Sequence, residues 1–367
     1  MNDSQTHPLV PAVRARKRLN PTLGKARAML REFLLDAGLS PGGEAPPVLL
    51  VACSGGPDSL ALAETASFFN RRGDYRVGAA VVDHGLQPGS AEVAAQAAQK
   101  LGAMGLHPVT IHRVRVPESG MGPEAAARSV RYEALDAAAE AAGAGAVLLG
   151  HTLDDQAEQV LLGLARGSGT RSLAGIPPRR GRYLRPFLGL RRDEVEEICA
   201  AQDLDPWHDP TNADPAYARS RVRTEVLPFL EQALGPGIAE ALYRSSRILA
   251  QDADYLDGQA TETYARLRSE APDSGSPDEI LLSEDGLRAL PPALRQRVLA
   301  LAAAELGAAR PSWERVRAVE ALLRREGSAG PVQLVGKVSA YRQVRGKPVP
   351  QGASSYGNLV FRKKSSA

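Results

Sequence analysis

Short apolar runs recur at 48–53, 77–82, 109–116 and 146–149, and alanine-rich stretches with helical spacing separate them at 59–70, 91–104 and 124–142, with a further one at 154–165. Strands buried on both faces and alternating with helices belong to a parallel sheet covered on both sides. The pattern therefore predicts an α/β domain with a doubly wound parallel sheet. Ligands in such sheets bind beyond the carboxyl ends of the strands, near the reversal of strand order. Ser54 follows the first run, Asp83 and His84 the second, and Gly150 with His151 the fourth.

Outside this block the pattern changes. Residues 1–46 mix basic helix-forming segments (Arg14 to Arg18, and 25–35) with a Pro/Gly-rich close, which predicts a helical, partly flexible lead-in. Its scarcity of acids also fits a transit peptide, a pattern that Glu32 and Asp36 interrupt. A helix is expected over 193–202, then a loop through Trp207, His208, Asp209, Pro210, Thr211 and Asn212, then an arginine-bearing helix from Tyr217. From Ile238 the chain reads as mainly helical, broken by a linker-like segment at 270–277. Alternation at Val332, Leu334, Val338, Tyr341 and Val344, then 359–361, predicts a small terminal β element. The expected division is a lead-in over 1–46, an α/β domain over 47–235 that carries the candidate ligand site, a helical domain over 236–326 and a basic tail with short strands over 327–367. A chain of 367 residues exceeds what one core usually organises.

Charge changes the picture more than composition does. The formal net charge is only +3, yet from Val160 to Arg192 there are eight arginines and no acid. After Glu326 come seven lysines or arginines and again no acid. Either stretch alone suits a solvated surface; two of them beside a nucleotide motif favour a polyanionic partner. No apolar run approaches the roughly 20 residues of a membrane span and no secretory apolar core opens the chain, so a cytoplasmic protein is expected. The two cysteines, Cys53 and Cys199, form no CxxC pair, which counts against a disulfide framework, a structural zinc site and a sulfur relay.

The loop Ser54-Gly55-Gly56-Pro57-Asp58-Ser59 joins the first strand to a helix. Glycines let backbone N–H groups approach an anion and the helix N-terminus adds partial positive charge. With no Gly-Lys-Ser/Thr and no GxGxxG, it is neither a Walker loop nor a dinucleotide fingerprint. Two serines and amides suit a pyrophosphate, and Asp58 suits magnesium, which points to cleavage of ATP between its α and β phosphates. A plain strand-to-helix turn capped by Asp58 or Ser59 is the alternative.

The second constellation is His151, Asp154, Asp155 and Glu158. If the turn begins near His151, then His151, Asp155 and Glu158 share a helix face. Thr152-x-x-Asp155 also has the spacing of a cap, but capping needs one or two carboxylates rather than three. Three acids and a histidine suit a cationic substrate or a metal. A lysine ammonium needs negative charge for recognition and must lose a proton before it attacks; the cluster offers the charge, and His151 or a carboxylate the base.

Taken in order, the motifs resemble the tRNA(Ile)-lysidine synthetase family of N-type ATP pyrophosphatases over roughly 48–230. They are the Ser54 to Ser59 loop; Val82-Asp83-His84-Gly85-Leu86, similar to HHGL; the segment 124–132 with Arg128, Arg131 and Tyr132, matching ARxxRY; His151 to Glu158, matching HxxDDxxE; Leu164 to Gly169, like LxRGSG; and Asp209-Pro210-Thr211-Asn212 leading to Arg219-Ser220-Arg221-Val222-Arg223. The resemblance implies a PP-loop, adenine nucleotide α hydrolase-like fold and a two-step reaction. The wobble cytidine of a CAU-anticodon isoleucine tRNA attacks ATP with magnesium, and the ε-amine of free lysine then displaces AMP. It implies that Arg128 and Arg131 stabilise developing charge or hold tRNA, that Asp154, Asp155 and Glu158 bind lysine, that His151 and Asp155 act in catalysis, and that Arg166, Arg219, Arg221 and Arg223 meet tRNA phosphates. Asp83 stands where many relatives carry His, Ser220 where Asn is common and Thr211 where Ser is usual. A full second C-terminal domain is expected to be absent, with the basic tail gripping the acceptor stem in part of its place. The sequence leaves open whether the chain pairs as a homodimer.

The rivals are a tRNA cytidine thiolation enzyme, which should carry paired cysteines; a small-molecule amide ligase, which leaves the arginines unused; and an idle RNA-binding module, which leaves Asp58 and the acidic cluster unused.

Overall fold

The computed structural model describes residues 20–85, 87–117, 123–167, 169–209, 214–270, 276–309, 311–325, 327–342 and 357–364, without the side chains of 123–125 and 269. Leu86, Ser168, Pro210, Thr211, Asn212, the basic segment 14–18, most of the 270–277 linker, and Val344, Arg345 and Lys347 of the tail lie outside them. The chain forms two compact units, 1–247 and 248–367.

The first unit begins with α1 (Pro21–Asp36), which Asn20 caps by accepting the Leu23 N–H at 3.0 Å. Leu23, Ala26, Leu30 and Leu34 lie on one stripe and are at most 1% exposed, so this helix belongs to the main core. Then follow β1 (Val48–Cys53), α2 (Pro57–Arg71), β2 (Arg76–Asp83), α3 (Ser90–Ala103), β3 (Val109–Arg113), α4 (Pro123–Ala142), β4 (Ala146–Leu149) and α5 (Leu153–Ala165). The alternation of 48–165 is therefore as the apolar pattern predicts, with β3 stopping three residues short of the expected 116. Next come α6 (Thr170–Leu173), β5 (Arg179–Arg180), β6 (Tyr183–Leu184), α7 (Arg192–Ala201) and α8 (Ala218–Arg221). A π-helical turn (Val222–Val226) runs from α8 into α9 (Leu227–Leu234).

The six strands lie in the order β3-β2-β1-β4-β6-β5, parallel except for β5. Chain order reverses between β1 and β4, and their registered pair Ala52 and Leu149 brings the two carboxyl ends side by side. That reversal opens the crevice in which a ligand is expected. The two-residue strands β5 and β6 sit within the arginine stretch, which sequence periodicity does not mark as strand.

The helix α10 (Ile238–Glu270) belongs to the first unit through Arg247 and to the second beyond it. The second unit continues with β7 (Glu279–Ser283), α11 (Glu284–Ala289), α12 (Pro292–Glu305), α13 (Trp313–Arg324), β8 (Val332–Gln333), β9 (Val338–Arg342) and β10 (Asn358–Lys363). The four strands form an antiparallel sheet ordered β7-β10-β9-β8. Ile280, Leu282, Leu299, Phe361 and Leu359 build its core with the helices. The terminal β element is present. It recruits a fourth strand, β7, from the stretch expected to be helical, because the apolar edge of Ile280 to Leu282 pairs with β10 far along the chain.

Candidate active site

The phosphate loop takes its shape from two constraints. Gly55 has φ +84°, a left-handed conformation that costs glycine nothing. At Gly150, just past β4, an added Cβ would lie 2.8 Å from the Asp58 carbonyl oxygen, so the strand end and the first turn of α2 meet only because no side chain intervenes. Gly150→Ala is accordingly expected to cost about 1–3 kcal/mol and to weaken ATP binding by displacing that turn, measured by urea unfolding alongside nucleotide titration.

Within the loop, Ser59 Oγ donates to the Gly56 carbonyl at 3.0 Å and accepts the Ser54 N–H at 3.2 Å. Cys53 Sγ lies 3.3 Å from the same hydroxyl and accepts the Gly55 N–H at 3.4 Å. The helix cap is Gly56, with no side-chain cap, so neither Asp58 nor Ser59 serves as one. Asp58 Oδ1 is buried without a hydrogen-bond partner. Burial first, then the Asp155 carboxylate, pushes its carboxyl up to about 7.

A cleft of about 570 Å³ opens over this loop. It brings together Ser54, Gly56, Pro57, Asp58 and Ser59 with Arg131, His151, Asp155, Arg219 and Arg223. Thr152 caps α5 with the capping box that the spacing suggests: Asp155 Oδ2 accepts the Thr152 N–H at 2.9 Å. Asp155 Oδ1 is left for the cleft, 3.4 Å from Arg223 Nη2 and 3.8 Å from Arg192 Nη2. The two oxygens of one carboxylate are thus divided between the helix cap and the cleft.

Glu158, fully buried, accepts from Arg223 Nε at 2.7 Å and Nη2 at 3.1 Å, with Arg219 Nε at 3.5 Å. Burial pushes this carboxyl up while Arg223 holds it down, and burial prevails. Asp154 turns elsewhere: it accepts the Arg192 N–H at 2.8 Å at the start of α7 and pairs with Arg191 at 3.3 Å. The three acids therefore do not converge. Of the arginines read as phosphate contacts, Arg219 and Arg223 face Glu158, Arg166 lines a separate cavity, and Arg221 donates to the Ala216 carbonyl at 3.0 Å. Arg128 and Arg131, one turn apart, also part company: Arg131 lines the cleft, whereas Arg128 donates to Tyr132 Oη at 3.3 Å and faces the separate cavity.

His151 is half-buried, and its Nδ1 is buried without a partner. Burial, outweighing the attraction of Asp155, pulls its imidazole down to about 4. Asp58 and His151 then bear on stability with opposite signs. Between pH 4 and 7 the folded chain keeps the Asp58 proton that the unfolded chain releases, so this group's stabilisation falls as pH rises. Between about 6.5 and 4 the unfolded chain protonates His151 while the folded chain does not, so stability is lost as pH falls. Relative to the parent, the stability of Asp58→Asn is expected to rise as pH goes from 5 to 7, and that of His151→Gln to rise as pH goes from 6.5 towards 4. Urea midpoints without magnesium would show this; parallel curves would refute both assignments.

An adjoining cavity of about 510 Å³ lies over the ends of β1 and β2, lined among others by Asp83, His84, Gln87, Arg131 and Trp207. Asp83 accepts the Gly85 N–H at 3.0 Å, and His84 Nδ1 is buried without a partner. The Trp207 N–H bonds the Gly55 carbonyl at 2.9 Å and Gln87 donates to Asp209 at 3.0 Å, so the 205–209 strap is tied to the phosphate loop. The strap falls on the loop expected from Trp207 onward, whereas the counter-charge Arg192 has no distinct mark in the sequence.

Two family models match the chain: a PP-loop domain over residues 27–230 and the TilS substrate binding domain over 282–345. The chain is 54% identical to the tRNA(Ile)-lysidine synthase of Leifsonia xyli subsp. xyli over 299 residues, 81% of this chain and 87% of that one. It is 47% identical to the tRNA(Ile)-lysidine synthase of Salinispora tropica over 332 residues, 89% and 95% of the two chains. Among solved structures it resembles the U34-tRNA thiolase NcsA of Methanococcus maripaludis, which carries a [4Fe-4S] cluster, with a TM-score of 0.50 and 19% identity over 63% of this chain and 80% of that one, a likeness of fold alone. With a PP-loop model over more than half its length and relatives matched nearly end to end, the chain belongs to the tRNA(Ile)-lysidine synthase family of ATP-dependent PP-loop ligases.

Proposed function

We propose that this protein converts the wobble cytidine of the CAU-anticodon isoleucine tRNA to lysidine, spending ATP to AMP and pyrophosphate. The observation that carries the chemistry is the single cleft in which the phosphate loop faces Asp155, Arg219 and Arg223 across the sheet's reversal point. The loop amides and the N-terminus of α2 suit the pyrophosphate. Asp58, with its buried oxygen lacking a partner, suits magnesium, which takes one or two carboxylates and completes its shell with phosphate oxygens and water. Magnesium would there neutralise the departing pyrophosphate. Arg131, whose guanidinium burial holds below its ordinary basicity, is suited to the charge that develops on the α phosphate.

For the second step, Asp155 and Glu158 are the acids that face the cleft's guanidinium groups, and we assign them the lysine ε-ammonium; Asp154 supports α7 instead. His151 offers an Nδ1 without a partner as a proton acceptor, although burial makes it a weak base, and a carboxylate freed from its arginine is the other acceptor. The thiolation alternative fits poorly. Cys53 and Cys199 are both buried, burial pushes the first thiol up and the second up to about 12, and neither is poised as a thiolate.

The test incubates the protein with ATP, magnesium, labelled lysine and the CAU-anticodon isoleucine tRNA. Label in the tRNA with matching AMP release is the expected result. No transfer would overturn the reaction, and equal transfer to initiator methionine tRNA would overturn its specificity.

A further inference from the structure

Next to the catalytic cleft lies a cavity of about 620 Å³ that shares His151, Arg219 and Arg223 with it and contains none of the phosphate-loop residues. Its guanidinium groups come from Arg128, Arg166, Arg180 and Arg185, together with Arg219 and Arg223, which Glu158 already pairs from behind, and no carboxylate lines it. The decisive side chain is Arg185, which is only 2% exposed. Its Nη1 donates to the Pro177 carbonyl at 2.9 Å and its Nη2 to Tyr132 Oη at 3.2 Å, while Nε is buried with no partner. Among the described residues no acid forms an ion pair with it.

A buried charge is ordinarily paired, because removing it from water costs several kcal/mol or more that neutral acceptors do not return. Tyr132 is itself held in place for this contact, stacked edge-on against Tyr183 at 4.7 Å between ring centroids and donating no charge. The fold thus keeps an uncompensated guanidinium in a room of further guanidinium groups. Such a room is completed by an anion. Arginine forks match phosphate oxygens two at a time, and the apolar wall of Leu162, Ile176 and Pro177 offers a face against which a base can lie.

We infer that this cavity seats a nucleotide of the RNA substrate next to the reacting cytidine, with its phosphodiester held by Arg185 and Arg180. The inference rests on the function proposed above for its choice of RNA. The triphosphate of ATP is the other source of phosphate on hand, but the residues suited to it line the neighbouring cleft and not this one. The phosphodiester contact gives the enzyme a grip on the backbone beside the cytidine and so fixes the base over the phosphate loop.

The experiment measures binding of an RNA hairpin carrying the CAU anticodon to the full chain and to Arg180→Gln, Arg185→Lys and Arg185→Met, across a salt series, together with ATP binding. Arg180 is exposed on β5, so its replacement leaves folding intact. Arg180→Gln is expected to weaken RNA binding about 3–10-fold and to lower the salt slope by about one counterion. Arg185→Lys, which keeps the charge but loses the fork, should weaken it at least as much, with ATP affinity unchanged within about twofold. A hairpin made neutral by methylphosphonate at one linkage flanking the cytidine should bind the unaltered protein at least as weakly as the native hairpin binds Arg180→Gln, and Arg180→Gln should weaken its binding no further. Unchanged RNA affinity and salt slope in both Arg180→Gln and Arg185→Lys would overturn the inference, as would a loss of ATP affinity without loss of RNA affinity. Because the contact is read from binding, a failure of lysine transfer in the unaltered protein would refute the proposed reaction separately.

Discussion

Asp58→Asn is expected to lower lysine transfer by on the order of 10³-fold while leaving the fold intact. A positioned charge or metal ligand at a developing phosphate anion commonly supplies several kcal/mol. Asn keeps the size of the side chain and removes the charge, and the first turn of α2 needs nothing more from this residue, since its cap is Gly56. The oxygen in question is buried and without a partner, and the Asp155 carboxylate nearby disfavours its ionisation. A residue so placed is a poor structural choice and a good cation ligand. Removing it relieves repulsion, so unfolding should show the variant at least as stable as the parent at neutral pH. The check is a comparison of kcat for lysine transfer with the magnesium dependence of ATP binding. Retention of more than a tenth of the turnover would sink the assignment of Asp58 to the metal.

How much of this was legible beforehand depended on the range of the interactions involved. The strands and helices of 48–165 follow from local apolar spacing, and the order of motifs placed Ser54, His151 and Asp155 at one end of the sheet, where they are found. Pairings that need a distant partner were not legible. Glu279 to Ser283 is five residues whose strand character comes from β10, and β6 joins the sheet only because β4 offers an open edge. The acidic motif shows the same limit at the level of side chains. Its spacing suggested one negative patch, but the arginines of α7, α8 and the π-helical turn reach Asp155 and Glu158 from residues far along the chain, while Asp154 turns to α7. A run of arginines without acids cannot say which one is buried. The one available hint for Arg185 was its apolar setting, between Tyr183-Leu184 and Pro186-Phe187-Leu188.

Glu158→Gln is expected to produce two losses that a second substitution separates. The first is in stability. Glu158 is fully buried and clasped by Arg223 at 2.7 and 3.1 Å, with Arg219 at 3.5 Å, so neutralising it leaves the half-buried Arg223 only the longer contact to Asp155 at 3.4 Å. Breaking a buried pair from one side costs about 3–5 kcal/mol, whereas replacing both partners by groups of similar volume is often neutral. Glu158→Gln combined with Arg223→Met should therefore recover much of the stability lost by Glu158→Gln alone. The second loss is in chemistry, and it should not be recovered. If Glu158 receives the lysine ammonium, the double variant still lacks that charge, so the KM for lysine stays raised by about tenfold or more, while adenylation of the tRNA, followed as pyrophosphate release, continues. Parallel recovery of stability and of lysine KM would make Glu158 a counter-ion to Arg223 and nothing else, and the ammonium site would then rest on Asp155, whose second oxygen already belongs to the cap of α5.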